Sequence, residues 1–406
     1  MYIRQECLLS FDEIIKYQPK TRLELILSQL DFTNILDELS KLHALRGPKG
    51  HYELNLLFSL AAMQVEKIKT FKKLVERLKT DPVFRYTCGF NILANTPSAS
   101  TFSRFLDKLS QCPSLEKDYE TLVKKAISLG IIDGTNVAID ATKIDAYEKS
   151  KQKSRLKNDG KSANWGAKSD TDGNKIRWFG YKLHILVDCK SELPLSILVS
   201  PASYYDGEFA IPLIKKFLIK YHGILNPKYY IMDSGYDFQK NYDYIANEVK
   251  AHAIIAYNPR GQYAPPEGLN EDFQPICSMG YALIYWGKDG DYLKYRCPHS
   301  TDKVDCPYGM NWCSDSNYGY CYKVNYKKNN RYFSYPPRHT LAYEKLYNER
   351  TSIERCNSRL KIFLNADNLR SAGIRKAKVN AILNCMALIS GTVAINQQPS
   401  GLKNIA

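Results

Sequence analysis

Two acidic residues close short apolar runs. Asp140 follows Val137, Ala138 and Ile139, and Asp233 follows Tyr230, Ile231 and Met232. Such runs read as buried strands, and ligand sites on open sheets gather at strand ends. A carboxylate there is partly desolvated, and two close together repel. A divalent cation removes that conflict and makes the pair an oxygen-ligand site. The plainer reading of either acid alone is an Asp that caps the next turn. A third group lies on one helical segment, which carries Tyr347, Arg350, Glu354 and Lys361. At about 100° per residue these four fall within an arc of roughly 60°. Leu346, Ile353, Leu360 and Leu364 form an apolar stripe beside them. The segment therefore buries its leucines on a sheet and presents a carboxylate ligand with three donors for phosphate oxygens. An exposed ion-paired face is the alternative, because Arg350 and Glu354 are four apart.

Other acids compete for these roles. Asp145 follows Ile144, but five residues past Asp140 it faces the opposite side of a strand. Asp237 lies beyond Gly235, in a following helix. Asp188 closes another strand and is a candidate secondary acid.

The elements that must position these groups fall into four stretches. Residues 1–115 read as an all-helical domain. Phe71, Leu74, Val75 and Leu78 share one helix face, as do Phe102, Phe105, Leu106 and Leu109. Arg104 and Lys108 decorate the second helix, which Ser98 or Ser100 caps. A short helix near Asp81–Tyr86 separates the two, so a tight helix-turn-helix is not expected. Residues 135–256 read as strand, two strands, helix, strand, helix, strand: a mixed sheet with packed helices. The basic, apolar-poor stretch 147–175 (Lys149, Lys151, Lys153, Arg155, Lys157, Lys161) reads as a loop. Residues 257–340 are rich in tyrosine and read as a β insertion with two hairpins. One pairs Tyr281–Trp286 with Tyr292–Arg296, the other Cys321–Tyr326 with Arg331–Tyr335. Residues 341–395 return to helix, with one long helix from Leu341 to Leu364 and a closing helix from about Ile374.

The chain has 406 residues, suited to two or three domains, and a formal net charge of +15. That excess favours a polyanionic partner. With 44% hydrophobic residues a real core can form, which argues against wholesale disorder. No apolar stretch of secretory type opens the sequence. The most apolar run, Ile382 to Ile395, is short and broken by Asn384, Ser390, Gly391 and Thr392, and reads as a buried helix with no membrane role. The expected setting is cytoplasmic and reducing, where the eleven cysteines serve as small hydrophobes. Cys297, Cys306, Cys313 and Cys321 cluster near His299 but lack C-x2-C pairs, so a zinc site there is the weaker alternative to buried thiols.

The helical segment matches Y-x2-R-x3-E-x6-K and resembles the signature of bacterial insertion-sequence transposases with a DDE triad and an RNase H-like fold. Other segments agree in chain order. Pro97–Phe105 resembles the end of their N-terminal helical domain. Ile139–Lys143 resembles the first-Asp motif. Asn164–Lys168 with Phe179–His184 resembles a second strand region, and Met232–Asp237 the second-Asp motif. The resemblance runs from about residue 45 to 390.

It implies an RNase H-like mixed sheet with flanking helices, an N-terminal all-α DNA-binding domain and an all-β insertion before the Glu-bearing helix. It implies Asp140, Asp233 and Glu354 as the metal-binding triad, with Tyr347, Arg350 and Lys361 on DNA phosphates. From their own positions Lys182 and His184 are candidate DNA contacts beside Arg104 and Lys108, although a histidine on a strand is more often structural. The implied activity is strand cleavage at element ends and strand transfer into target DNA by a synaptic homodimer in a bacterial nucleoid. Three carboxylates without partnered His or Cys favour two Mg²⁺ or Mn²⁺ ions, about 3.5–4 Å apart. A nuclease or recombinase on the same fold without strand transfer, and a non-catalytic DNA-binding derivative, are the alternatives.

Overall fold

The computed structural model describes residues 10–42, 50–152, 159–169, 174–261, 265–309, 312–316 and 318–397. Lys153, Arg155 and Lys157 lie outside them.

Eight helices lead: α1 (Phe11–Lys16), α2 (Arg22–Leu27), α3 (Thr33–Lys41), α4 (Glu53–Val65), α5 (Phe71–Thr80), α6 (Pro82–Thr87), α7 (Ala99–Leu109) and α8 (Ser114–Ser128). Local capping starts several of them. Ser10 with Glu13 and Thr21 with Glu24 form capping boxes. Asp81 accepts from Phe84 N at 2.9 Å, with Pro82 at the first position of α6. Ser98, not Ser100, caps α7 through Thr101 N at 3.1 Å. The expected apolar faces meet, with the Phe71 and Phe102 rings stacked 6.1 Å apart. Helix α8 runs through the gap expected between the first two stretches. It buries Leu115, Tyr119, Leu122 and Val123, and its Asp118 accepts from Asn34 N and Ile35 N of α3 at 2.9 and 3.0 Å.

A six-stranded sheet follows: β1 (Asn136–Asp145), β2 (Asn164–Ser169), β3 (Lys175–Asp188), β4 (Pro194–Pro201), β5 (Tyr229–Met232) and β6 (His252–Ile255). Its path is β2-β3-β1-β5-β6, with β4 also on β3. β1 runs antiparallel to β3 and parallel to β5, and β5 runs parallel to β6. The mixed sheet is as expected, but the loop over 147–175 is corrected, because β2 lies within it. This strand carries little apolar periodicity, being bound on one side only, and Gly166 clears room for the Trp178 ring of β3. α9 (Ala210–Tyr221) packs on the sheet, and α10 (Gln239–Asp243) passes into a π-helical turn over Tyr244–Val249.

The insertion has its own small core of Leu269, Leu283, Leu293, Tyr295, Val324, Tyr326 and Phe333. Its sheet is β7 (Ile284–Asp289), β8 (Tyr292–Arg296) and β9 (Cys321–Asn325), in that order. The first expected hairpin forms, shifted so that it turns at Gly290-Asp291. The second does not: β9 pairs with β8, and residues 331–335 form no strand. Arg331 is drawn away from any ladder by the buried Asp237, at 2.9 Å.

The expected long helix is two: α11 (Leu341–Asn348) and α12 (Thr351–Leu364). Three-residue backbone bonds from Glu349 N, Arg350 N, Ser352 N and Ile353 N tighten the junction. The apolar stripe on α12 is present, with Ile353, Cys356, Leu360 and Leu364 buried. α13 (Ile374–Gln397) is longer than its apolar run suggested, long and apolar enough by composition alone to cross a bilayer. In the fold it packs against α2, α4, α8, α12 and β4. Arg370 ties this end to the N-terminal helices, donating to Gln64 Oε1 and Asn380 Oδ1 at 2.9 Å each.

Candidate active site

β1 and β5 are buried through Ile139 and Met232, and these two residues are partners in the parallel register. The next residue on each strand is an acid, so Asp140 and Asp233 emerge side by side. Asp140 remains paired across to Ile185 of β3, which fixes its backbone. Asp233 starts the turn Ser234–Tyr236 and accepts from Gly235 N at 2.9 Å. It is therefore a turn cap and the neighbour of Asp140 at once.

Both carboxyls are half-buried, and both are shifted. Burial, then the charge of Asp233, lifts Asp140 to about 7. Burial also lifts Asp233, with Asp206 adding to it and Arg350 and Lys168 opposing it. Among the described residues no lysine or arginine forms an ion pair with either. The Tyr236 side chain is fully buried, its hydroxyl has no hydrogen-bond partner among the described residues, and burial, then Asp140, Asp206 and Asp233, raise its pKa. Mutually repelling oxygens beside an unsatisfied hydroxyl are a donor set that suits a hard divalent cation with its hydration.

Glu354 is not turned toward the two aspartates. It lies in the first turn of α12, its side chain half exposed, and accepts from Arg350 Nη2 at 2.6 Å. Accordingly, among the described residues no three acids, histidines or cysteines gather closely enough to hold a metal ion. That holds for the Cys297, Cys306, Cys313 and Cys321 cluster too. Arg350 connects the parts, because it senses both Glu354 and Asp140. Tyr347 lies next to it, with the Arg350 guanidinium 5.9 Å from its ring and the Tyr343 ring stacked at 6.2 Å. Burial raises Tyr347, and Asp233 adds to this. Lys361 is half-buried near Lys143 and Lys168, and burial lowers its pKa.

The remaining candidates separate. Arg104 is exposed on α7, and Lys108 pairs with Glu53 at 3.7 Å. Lys182 is turned inward, donating to Asp206 Oδ1 at 2.7 Å and Tyr204 O at 2.8 Å. His184 as a DNA contact is corrected. It is fully buried, stacks on Phe209 at 4.2 Å and bonds Ser200 Oγ at 2.8 Å, and burial lowers its pKa to about 3. Asp188 is buried, accepting from Gly134 N and Ser191 N at 2.8 and 2.9 Å. Asp237 is buried against Arg331, Tyr242 Oη and Asn258 N. Asp145 is exposed. Asp206 and Lys168 were not singled out. Asp206 follows two tyrosines on a turn with no apolar run before it, and Lys168 sits on the edge strand read as loop.

A family model described as a transposase DDE domain matches residues 125–390. A second, described as a transposase domain, matches residues 10–108. No curated protein sequence matches the chain. Among solved structures, a piggyBac transposase in a synaptic complex with hairpin DNA is 13% identical, with a TM-score of 0.41 over 92% of this chain and 74% of that one.

Proposed function

Since the chain belongs to the DDE transposase family and is a DNA transposase, we propose that Asp140, Asp233 and Glu354 are its catalytic acids, cutting strands at the ends of an insertion sequence and joining them to target DNA. The family uses divalent metal ions. The observation that carries the assignment is the emergence of Asp140 and Asp233 side by side from adjacent parallel strands, with no counter-charge paired to them among the described residues. When bound, Mg²⁺ or Mn²⁺ supplies activation of the attacking hydroxyl and stabilisation of the leaving oxygen.

The chain's own groups do the rest. Asp140 and Asp233 present fixed oxygens. Glu354 would join Asp140 and Asp233 in holding the cation, and the Arg350 guanidinium, released from Glu354, would serve a DNA phosphate. The pair is worth little to the fold, on the order of 0.5 kcal/mol for an i,i+4 surface pair, so a phosphodiester can compete for it. The Tyr347 hydroxyl and the Lys361 ammonium complete a row of phosphate donors along the junction and α12. Residues 1–115 are assigned to end recognition through Arg104 and Lys108. The sheet order, with an antiparallel meander beside two parallel strands, supports an RNase H-like core interrupted by the β insertion. Strand transfer requires two ends, which favours a synaptic homodimer on double-stranded DNA.

The test uses purified protein, DNA carrying the element's terminal repeats, and Mg²⁺. Asp140→Asn, Asp233→Asn and Glu354→Gln should each reduce cleavage about a thousandfold or more, since cation catalysis is worth several kcal/mol. End binding should persist. Joint loss of binding and cleavage would assign these acids to the fold instead. Cleavage without joined product would identify a nuclease lacking strand transfer.

A further inference from the structure

A fourth acid stands near this site, on a turn that is fixed from two sides. Asp206 opens the turn Asp206–Glu208 that follows β4. Lys182, reaching from β3, binds both the Asp206 carboxylate at 2.7 Å and the carbonyl of Tyr204 at 2.8 Å. Its ammonium is thus consumed in fixing this turn. The turn is pressed against the one bearing Asp233. A Cβ on Gly207 would lie 2.7 Å from Gly235 O and would also strike the Phe238 ring. Asn241, fully buried, bridges the two turns by donating to Gly207 O at 3.3 Å and Tyr236 O at 2.8 Å. From the other side, His184 stacks on Phe209 at the end of the same turn. Asp206 therefore sits within the electrostatic reach of both Asp140 and Asp233.

We infer that Asp206 is a positioning residue: clamped by Lys182, it holds the 206–208 turn against the 234–236 turn and thereby sets where Asp233 stands relative to Asp140. This rests on Asp140 and Asp233 being cation ligands. Groups that orient ligands in this way alter affinity strongly when removed, by about 10-fold to 100-fold.

Cation binding can be read without DNA or turnover, by electron paramagnetic resonance of Mn²⁺ titrated into the full chain. Asp206→Asn should weaken Mn²⁺ binding at least about tenfold, with Asp206→Glu recovering part of the loss. Wild-type affinity in Asp206→Asn would overturn the inference. Lys182→Met separates positioning from simple charge. Removing a cation from an acidic site should strengthen Mn²⁺ binding if Asp206 acts only through its field. It should weaken binding if the Lys182 clamp is what places Asp233. Stronger binding in Lys182→Met therefore overturns the inference even if Asp206→Asn is impaired. Asp140→Asn is the control on the premise: if Asp140→Asn also leaves Mn²⁺ binding untouched, the cation site itself is misassigned, a failure distinct from that of Asp206.

Discussion

Arg350 Nη2 lies 2.6 Å from Glu354 Oε1, so the proposed third acid is held by a guanidinium one helical turn before it. Arg350 also feels Asp140, and Asp233 feels Arg350. One positive group therefore interacts with Glu354 on one side and with the two aspartates on the other.

That arrangement predicts opposite effects of Arg350→Ala on two measurements. Mn²⁺ affinity should rise by a few-fold, because Glu354 is released and a repelling charge is lost; a partly exposed pair is worth under about 1 kcal/mol. Affinity for the element's end should fall, because a charge-assisted phosphate donor is lost, worth about 1.5–3 kcal/mol. Mn²⁺ titration and end binding on the same preparation check both signs. A fall in Mn²⁺ affinity would mean that Arg350 orders the site and does not restrain it.

Asp140 makes the cation-free protein sensitive to pH. Its carboxyl is lifted to about 7 by burial and by Asp233, against about 3.9 for an ordinary Asp. The folded state therefore keeps a proton that the unfolded chain releases. Between about pH 4 and about pH 7 stability declines as pH rises, and it is level on either side of that window. Asp233, also raised, adds in the same direction. Asp140→Asn should melt higher than the parent at pH 8 without cation, and show little difference near pH 4. Protons also compete with the cation, so Mn²⁺ affinity should climb from about pH 5.5 and level off above about pH 7. Identical melting curves for parent and variant at pH 8 would contradict the strain at this carboxyl.

End binding should be steeply salt-dependent. The chain carries a formal charge of +15, and Arg350, Lys361, Lys168 and Arg104 offer cations on or near the proposed path. Six or more phosphate contacts would cost about 10³-fold in affinity or more between roughly 50 and roughly 200 mM salt. A gel-shift or anisotropy titration across that range measures the slope. Arg104→Ala should lower the slope by about one contact, whereas His184→Gln should leave it unchanged, because that ring is buried against Phe209 and Ser200.

Where the chain announces its structure, the signal is local. Asp140 and Asp233 were legible because each ends an apolar run, and the run dictates both the strand and the side of the sheet where it stops. The α12 stripe was legible because Ile353, Leu360 and Leu364 repeat at helical spacing. What escaped depends on distant partners. Asp118 caps α3 from α8, some eighty positions along. Strand β2 is an edge held by β3, with Trp165 and Ala167 too few to mark a period. Asp206 has meaning only through Lys182, and nothing in their neighbours links them. His184 lies two residues past Lys182 on the same strand face, so both turn to the 204–209 segment instead of DNA. The long helix broke at Glu349-Arg350 although every residue there suits a helix. Asn136 Nδ2 binds Glu349 Oε2 at 2.8 Å across the core, a contact no helical pattern encodes.

A buried network helps fasten the insertion to the sheet, and that predicts where the molecule should come apart. Asp237 is fully buried and takes two donors of Arg331, the nearer at 2.9 Å, together with Tyr242 Oη at 2.8 Å. Arg338 extends the chain, donating to Arg331 O at 2.7 Å, Tyr242 Oη at 2.8 Å and Ile255 O at 2.6 Å. Arg331→Met removes one half of a buried ion pair and strands the Asp237 carboxylate, which costs about 3–5 kcal/mol. The insertion has a separate small core, so the damage should be greatest at the attachment. Limited proteolysis of Arg331→Met should cut first between residues 257 and 340, with the sheet and α13 persisting as a resistant fragment. Asp237→Asn should be milder, since the amide keeps an acceptor for Arg331 and the stranded charge is avoided. Equal sensitivity of both variants, or uniform digestion along the chain, would show that Arg331 serves the whole fold and not the attachment of the insertion.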